Sequence, residues 1–275
     1  MKKAFVFSAI LASCVALTTV AGNPDDNNPI KKALPLIPEG GGDGNKFSIG
    51  IAAGTTIPLQ DYSNTGKGSD STHITGSAQT GIHFNATIGY NVYKIIGAMV
   101  MVGGNINSYN GATSSLGTAI TPSGSHYVGQ YLAGPYISIP IGKKFFIEAR
   151  ALVGLMTSHY PELSSSYSAS FGSFASTNIS YDLKYKPGTA FGYSGVVGAK
   201  YMLGNHFGIT LHAAYSGSNM KYPSNTIHFV ETTSSIFQVL SPTTNLNTNT
   251  TTTSTTLVHM SIGMINISAG AVFSF

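Results

Sequence analysis

Glu148 and Arg150 stand two residues apart in "FFIEARALVGLM" (145–156), and Lys200 closes "TAFGYSGVVGAK" (189–200). One carboxylate with two cations can make an ion-pair cluster, an ion-selective ring, or the acid and electrostatic partner of a catalytic site. His83, with Asn85 beside it, and His212 add two imidazoles that could share a metal. His212 and Ser216 in "HAAYSGSN" (212–219) also supply the residue types of a hydroxyl nucleophile and its base. Which of these chemistries is available depends on the elements that carry the residues.

The segments around them have a period of two. Phe145, Ile147, Ala149, Ala151 and Val153 form an apolar set opposite Glu148 and Arg150, and Lys200 lies opposite Val197, Ala199 and Tyr201. That is the alternation of a strand, not the 3.6 of a helix. Residues i and i+2 on a strand lie about 7 Å apart, close enough for Glu148 and Arg150 to share a network. The histidines follow the same rule. Ile82, Phe84, Ala86, Ile88 and Tyr90 oppose His83, Asn85 and Thr87, while Phe207, Ile209, Leu211, Ala213 and Tyr215 oppose Thr210, His212 and Ser216.

Eight stretches show this pattern, at 46–57, 79–90, 94–106, 127–139, 145–156, 189–201, 207–217 and 258–275. Each is about as long as a tilted strand needs to cross a bilayer, roughly 9–11 residues. Their connections alternate in length. "NVY", "PIGKK" and "MLGNH" are tight, whereas 58–78, 107–126, 157–188 and 218–257 are long and polar. Short turns on one rim and long loops on the other predict an all-β fold, an eight-stranded antiparallel up-and-down transmembrane β-barrel. The Thr/Asn run "TTNLNTNTTTTSTT" in the last loop reads as a mobile surface segment, and "NTIHFVETTSSIFQVL" as a hairpin extension beyond the membrane.

Composition agrees. Charged residues are 9% of the chain, against about 25% in an average soluble domain. A soluble sandwich also alternates, but its polar face carries Lys, Glu, Asp and Arg; here that face is Gly, Ser, Thr, Asn, Gln and His. Such a face suits a confined interior. Glu148, Arg150 and Lys200 are therefore expected in the lumen as an ion-pair network, since a Lys or Arg facing lipid at mid-depth costs roughly 2–4 kcal/mol. His83, Asn85 and His212 are expected there as hydrogen-bonded polar groups. The two histidines fall on the second and seventh strands, with no third ligand at a recognisable spacing, so we expect no metal. Met99 and Met101 break the polar pattern of the third stretch and are expected to fill a lumen that is not wholly polar. Aromatics at the strand ends, among them Tyr90, Tyr127, Tyr131, Tyr201 and Phe207, suggest two interfacial girdles.

The N-terminus, "MKKAFVFSAILASCVALTTVAG", reads as a secretory signal peptide spanning residues 1–22. A Pro/Gly/Asn-rich leader follows at 23–45, including "GGGDG" as linker, and the barrel domain occupies 46–275. Cys14, the only cysteine, lies inside the signal; the alternative is a lipidated N-terminus, because "LASC" has the form of a lipobox. The formal charge of +4 includes Lys2 and Lys3, so the mature chain is close to neutral, with no basic stripe for nucleic acid.

The signal peptide, the eight strands and the terminal "AVFSF" together resemble the small outer-membrane β-barrel family of OmpA/OmpX-like, porin-family proteins. The resemblance implies residence in the bacterial outer membrane in contact with its lipid. It also implies that Phe273 and Phe275 form the assembly signal read by the barrel-assembly machinery, although Ala269 and Ala271 stand where larger apolar residues are common. The expected role is a non-enzymatic envelope scaffold or surface-interaction protein. It would act through its long loops on an extracellular ligand that the sequence does not identify, with no cofactor. The alternatives are a narrow channel for small solutes or ions and a lipid-modifying enzyme. Cysteine labelling checks the register: Ile147→Cys should react with a bilayer-soluble reagent and Arg150→Cys should not. The reverse would put the strand one residue out of register.

Overall fold

Strands of Ile, Val, Tyr and Thr satisfy their backbone groups only by pairing, and in this chain the eight long ones pair into a ring. The computed structural model describes residues 46–65, 74–93, 95–110, 120–171, 175–223, 225–235, 247–254 and 257–275. The expected signal peptide with Cys14 and the expected leader lie outside the described residues. The barrel strands are β1 (Phe47–Leu59), β2 (Ala78–Tyr93), β3 (Ile96–Tyr109), β5 (His126–Pro140), β6 (Phe145–His159), β9 (Gly188–Met202), β10 (Phe207–Tyr222) and β13 (Val258–Ser274). They close in the order β1-β13-β10-β9-β6-β5-β3-β2, each antiparallel to its neighbours. Omitting the strands outside the ring, this is the up-and-down order. The seam is sealed at one rim, where Phe47 and Phe275 exchange N–H···O bonds of 2.9 Å in both directions.

Burial follows the period of two. On β5 and β6, outward Tyr131, Ile139, Ile147, Val153 and Leu155 are exposed, while inward Val128, Leu132, Phe146, Leu152 and Met156 are buried. Around the ring Ile51 is 65% exposed, Ile82 61%, Val197 61% and Leu211 59%, a belt that water would penalise at about 25 cal/mol per Å². Within the eight barrel strands the formal charges are Glu148, Arg150 and Lys200, all buried, and Lys221 at the long-loop end of β10. An apolar belt without outward charge is the surface of a barrel that meets hydrocarbon.

The long connections hold more order than their composition suggested. Five further strands, β4 (Ile120–Ser123), β7 (Glu162–Phe171), β8 (Ala175–Tyr185), β11 (Asn225–Ser235) and β12 (Asn247–Ser254), form a separate sheet in the order β12-β11-β8-β7-β4. The hairpin extension expected at the start of the last loop is β11. The Thr/Asn run expected to be a mobile segment instead contains β12. Two of its threonines lie opposite apolar residues of β11, Thr252 across from Ile227 and Thr250 across from Phe229, and pairing along the ladder holds a segment that has no core of its own.

The rim bearing these connections is covered from within. A short 3₁₀ turn, η1 (Gln60–Tyr62), and residues 74–77 are bonded to each other and to β13, with Gly76 N–H to Asp61 O at 2.7 Å and Ile74 N–H to His259 O at 2.9 Å. Tyr160 Oη donates to Thr75 O at 2.8 Å, and Tyr62 Oη to Asn107 Oδ1 at 3.1 Å. The rings of Tyr62 and Tyr160 lie edge-on to His126 at 5.2 and 4.8 Å, and Tyr160 meets Tyr185 at 5.1 Å. Beneath them Met156, Met220, Met260, Ile262 and Met264 are fully buried. This half of the lumen is thus an apolar core capped by aromatics, a larger departure from a polar interior than Met99 and Met101 foretold.

One seam is incomplete. Because Phe47 bonds to β13, the even-numbered residues of β1 present their N–H groups to β2. Pro58 has no such group, and pairing with β2 stops at Thr56 opposite Gly81. A shallow surface hollow lies there beside Ile57, Pro58, Ala78 and Gln79, and Asn107 Nδ2 donates to the freed Gln79 O at 2.7 Å.

Burial holds the Tyr62 and Tyr160 hydroxyls well above the usual value of 10.0. In the unfolded chain both would ionise near that value, so the stability they contribute is intact below it and is lost as the pH rises above it. Alkaline titration followed by phenolate absorbance should therefore leave part of the 15 tyrosines un-ionised until the barrel unfolds. A single step near the ordinary value with the barrel intact would contradict the buried cap.

Candidate functional site

Three adjacent strands bring the charged residues together. Glu148 on β6 lies opposite Gly198 on β9, which lies opposite His212 on β10; one register row away, Phe146 faces Lys200, which faces Thr210. Gly198 is what lets the outer two meet across the middle strand. A Cβ there would fall 2.2 Å from His212 Cδ2 and 2.4 Å from Leu211 O, so any side chain would push the imidazole out of the row.

Arg150 Nη2 donates to Glu148 Oε2 at 2.7 Å, a charge-assisted bond of ordinary length, and lies 2.8 Å from His212 Nε2. A guanidinium is always a donor, so His212 Nε2 accepts and the ring carries its proton on Nδ1. The 3.4 Å separation between His212 Nε2 and Glu148 Oε2 is then a contact between two acceptors held by the same guanidinium. Lys200 Nζ sits 3.4 Å from Glu148 Oε1 and 4.6 Å from the centre of the Phe146 ring. All four polar residues are buried. Glu148, Arg150 and Lys200 thus stand in one buried cluster, with His212, expected as a separate polar group, as its fourth member.

His83 belongs to a different cluster. Its Nδ1 lies 2.8 Å from Asn105 Oδ1 and its Nε2 lies 2.8 Å from Asn85 Nδ2, an arrangement that a neutral ring protonated at Nδ1 satisfies at both atoms. Among the described residues no group of three or more His, Cys, Asp or Glu could hold a metal ion. Ser216 Oγ donates to Ser194 Oγ at 2.9 Å and lies four residues along the strand from His212, about 13 Å at strand rise. The two are not a nucleophile and its base.

Two small cavities flank the network. One of about 20 Å³ is lined by Lys200, Thr87, Thr210, Tyr136 and Ser274; the other, of about 10 Å³, by His83, Gln130, Ser194 and Asn266. Arg150 and His212 line both and form the partition. Volumes of this size hold about one water each, so buried side chains leave little free space around the network.

Sequence reasoning did not find the tyrosine and histidine cap. Tyr62 and Tyr160 lie in connections, and Tyr109, Tyr185 and Tyr222 lie at strand ends, where periodicity is silent. The repeated Tyr just beyond the apolar stretches was the available signal.

Phe273 and Phe275 are both exposed on the outer surface, 5.9 Å apart, and Phe275 stacks on Phe47 at 6.1 Å. That puts the terminal aromatics on the belt where the seam closes.

No protein-family model matches the chain, and no curated protein matches it. Solved structures with a similar course include the attachment invasion locus protein Ail of Yersinia pestis, at 14% identity, TM-score 0.38, covering 83% of this chain and 99% of that one. The outer membrane protein OprG of Pseudomonas aeruginosa is 14% identical, TM-score 0.43, covering 85% and 98%. A major outer membrane protein of Thermus thermophilus is 12% identical, TM-score 0.39, covering 84% and 100%. These are likenesses of a barrel scaffold, and neither ligand nor activity passes from them to this chain.

Removing one member of a buried ion network leaves the others uncompensated. Glu148→Gln, which strands two cations, should lower unfolding stability in detergent by about 3–5 kcal/mol, whereas Lys200→Met, which leaves a balanced pair, should cost little or nothing. Equal losses in urea titrations would mean that the network is not the unit described.

Proposed function

We propose that the chain is an integral protein of the bacterial outer membrane, without enzymatic activity, that anchors a surface-exposed sheet by means of a closed barrel. The observation that carries this reading is the contrast between the two parts. Buried side chains fill the lumen at two levels, around the charge cluster and under the aromatic cap, whereas the long connections carry a five-stranded sheet.

That sheet has two unlike faces. Leu163, Leu183, Ile227 and Thr252 lie in one cross-strand row, with Tyr167 and Ile179 paired further along the same face. Tyr167 is 43% exposed and Ile227 36%. The opposite face carries Ser164, Ser166, Asp182, Lys184, His228 and Thr251. A rigid sheet with exposed aromatic and aliphatic side chains, held beyond the long-loop rim, is suited to contact with a partner outside the cell. The ion pair of Lys184 with Glu162 on it is exposed and adds little stability.

On this reading the outward belt contacts outer-membrane lipid, and Phe273 and Phe275 present the assembly signal to the barrel-assembly machinery. An eight-stranded ring is only wide enough for its own side chains, which favours a scaffold role over a transport role. The test is conductance of the purified barrel in a planar bilayer. No steady unitary current is expected. Reproducible unitary steps abolished by a bulky substitution at Thr210 would identify a pore and overturn the closed-lumen reading.

A further inference from the structure

Among the described residues of the barrel strands, the buried charge does not balance. Glu148 is the only buried carboxylate of the barrel strands and faces two basic side chains, Arg150 and Lys200, while the His212 ring that joins them accepts a bond from Arg150 and so carries no charge. One positive charge is left over in a compartment where an unpaired ion is costly.

The surplus is located at Lys200. Glu148 Oε2 is engaged by Arg150 at 2.7 Å, so Lys200 Nζ has only the looser contact to Oε1 at 3.4 Å and the face of Phe146. A fully made ammonium–carboxylate bond is about 2.7–2.9 Å. Arg150 Nε, on a side chain more than nine-tenths buried, has no hydrogen-bond partner among the described residues. Both side chains line the same cavity of about 20 Å³, together with the hydroxyl residues Thr87, Thr210 and Ser274.

A small cavity lined by two cations, unmade N–H bonds, hydroxyl groups and no carboxylate but the one already engaged is a receptor for negative charge. We propose that this luminal cavity binds one small monovalent anion of the halide class, held by Lys200 with Thr87 and Thr210 and neutralising the surplus charge. The charge in excess is one, which sets the valence. The volume sets the size, because it admits an ion little larger than a water and excludes an organic anion. The anion is a structural counter-ion of the barrel and is independent of any partner of the outer sheet.

The experiment follows thermal unfolding of the chain folded in zwitterionic detergent, in sodium chloride or in sodium gluconate at equal ionic strength, gluconate being too large to enter. In chloride the midpoint of the wild type should rise by about 2–4 °C, as a ligand present at several times its dissociation constant produces in a domain of this size. Lys200→Met should lose that rise and, in gluconate, should unfold no lower than the wild type, since the surplus charge is gone. Lys200→Arg should keep the rise. The double variant Thr87→Val, Thr210→Val removes hydroxyl donors without altering charge and should reduce the rise; it decides the matter if Lys200→Met does not fold. No difference between the salts in the wild type, an undiminished rise in Lys200→Met, or an undiminished rise in the threonine double variant would each overturn the proposal.

Discussion

A sheet immersed in hydrocarbon has no water to bond its edge, so every N–H and C=O must find a partner within the sheet, and the sheet must close on itself. In this chain that requirement is met where β1 pairs with β13. The rest follows from closure. Once the first and last strands are joined, the number of strands sets the bore, the pleat sends alternate residues inward, and those side chains must fill a space scarcely wider than themselves. Phe47 and Phe275, bonded to each other through their backbones and stacked through their rings, hold the seam at the rim where both ends of the barrel meet.

The interior meets that demand in two ways. Towards the long-loop rim it is filled as a soluble core would be, by Met156, Met220, Met260, Ile262 and Met264 under tyrosines whose hydroxyls are bonded to backbone or side-chain oxygens. Towards the other rim buried Met99, Phe146 and Met202 stand among polar groups, and the packing depends on charge. Arg150 holds both Glu148 and His212, and the absence of a side chain at Gly198 lets strands that are not neighbours share one cluster. The two halves differ in what a substitution does. Loss of a methionine leaves a cavity. Loss of a charged group leaves its partner buried without compensation.

The ring was legible in the sequence because a period of two repeated eight times, with connections of alternating length, has few other solutions. The luminal placement of Glu148, Arg150 and Lys200 was legible for the same reason, since parity alone sends them inward. Parity says nothing of which inward residues touch. His212 was assigned to the lumen but not to the charge cluster, because its link to Glu148 passes over a glycine on the strand between them and depends on register between segments far apart in the chain. The outer sheet was hidden for another reason. Ser- and Thr-rich segments such as 162–171 and 247–254 carry little hydrophobic signal, and their strands exist because a neighbour with apolar side chains pairs with them. The aromatic cap, assembled from connections and strand ends, had no period to betray it.

The most direct test of the whole account is the solvent the folded chain requires. Residues 46–275 refolded and analysed by sedimentation velocity should be a folded, dispersed species only with detergent or lipid present, and should aggregate when it is withdrawn. A folded monomer, monodisperse in plain aqueous buffer, would show that the exposed belt of Ile51, Ile82, Val197 and Leu211 does not face hydrocarbon, and the account would fail with it.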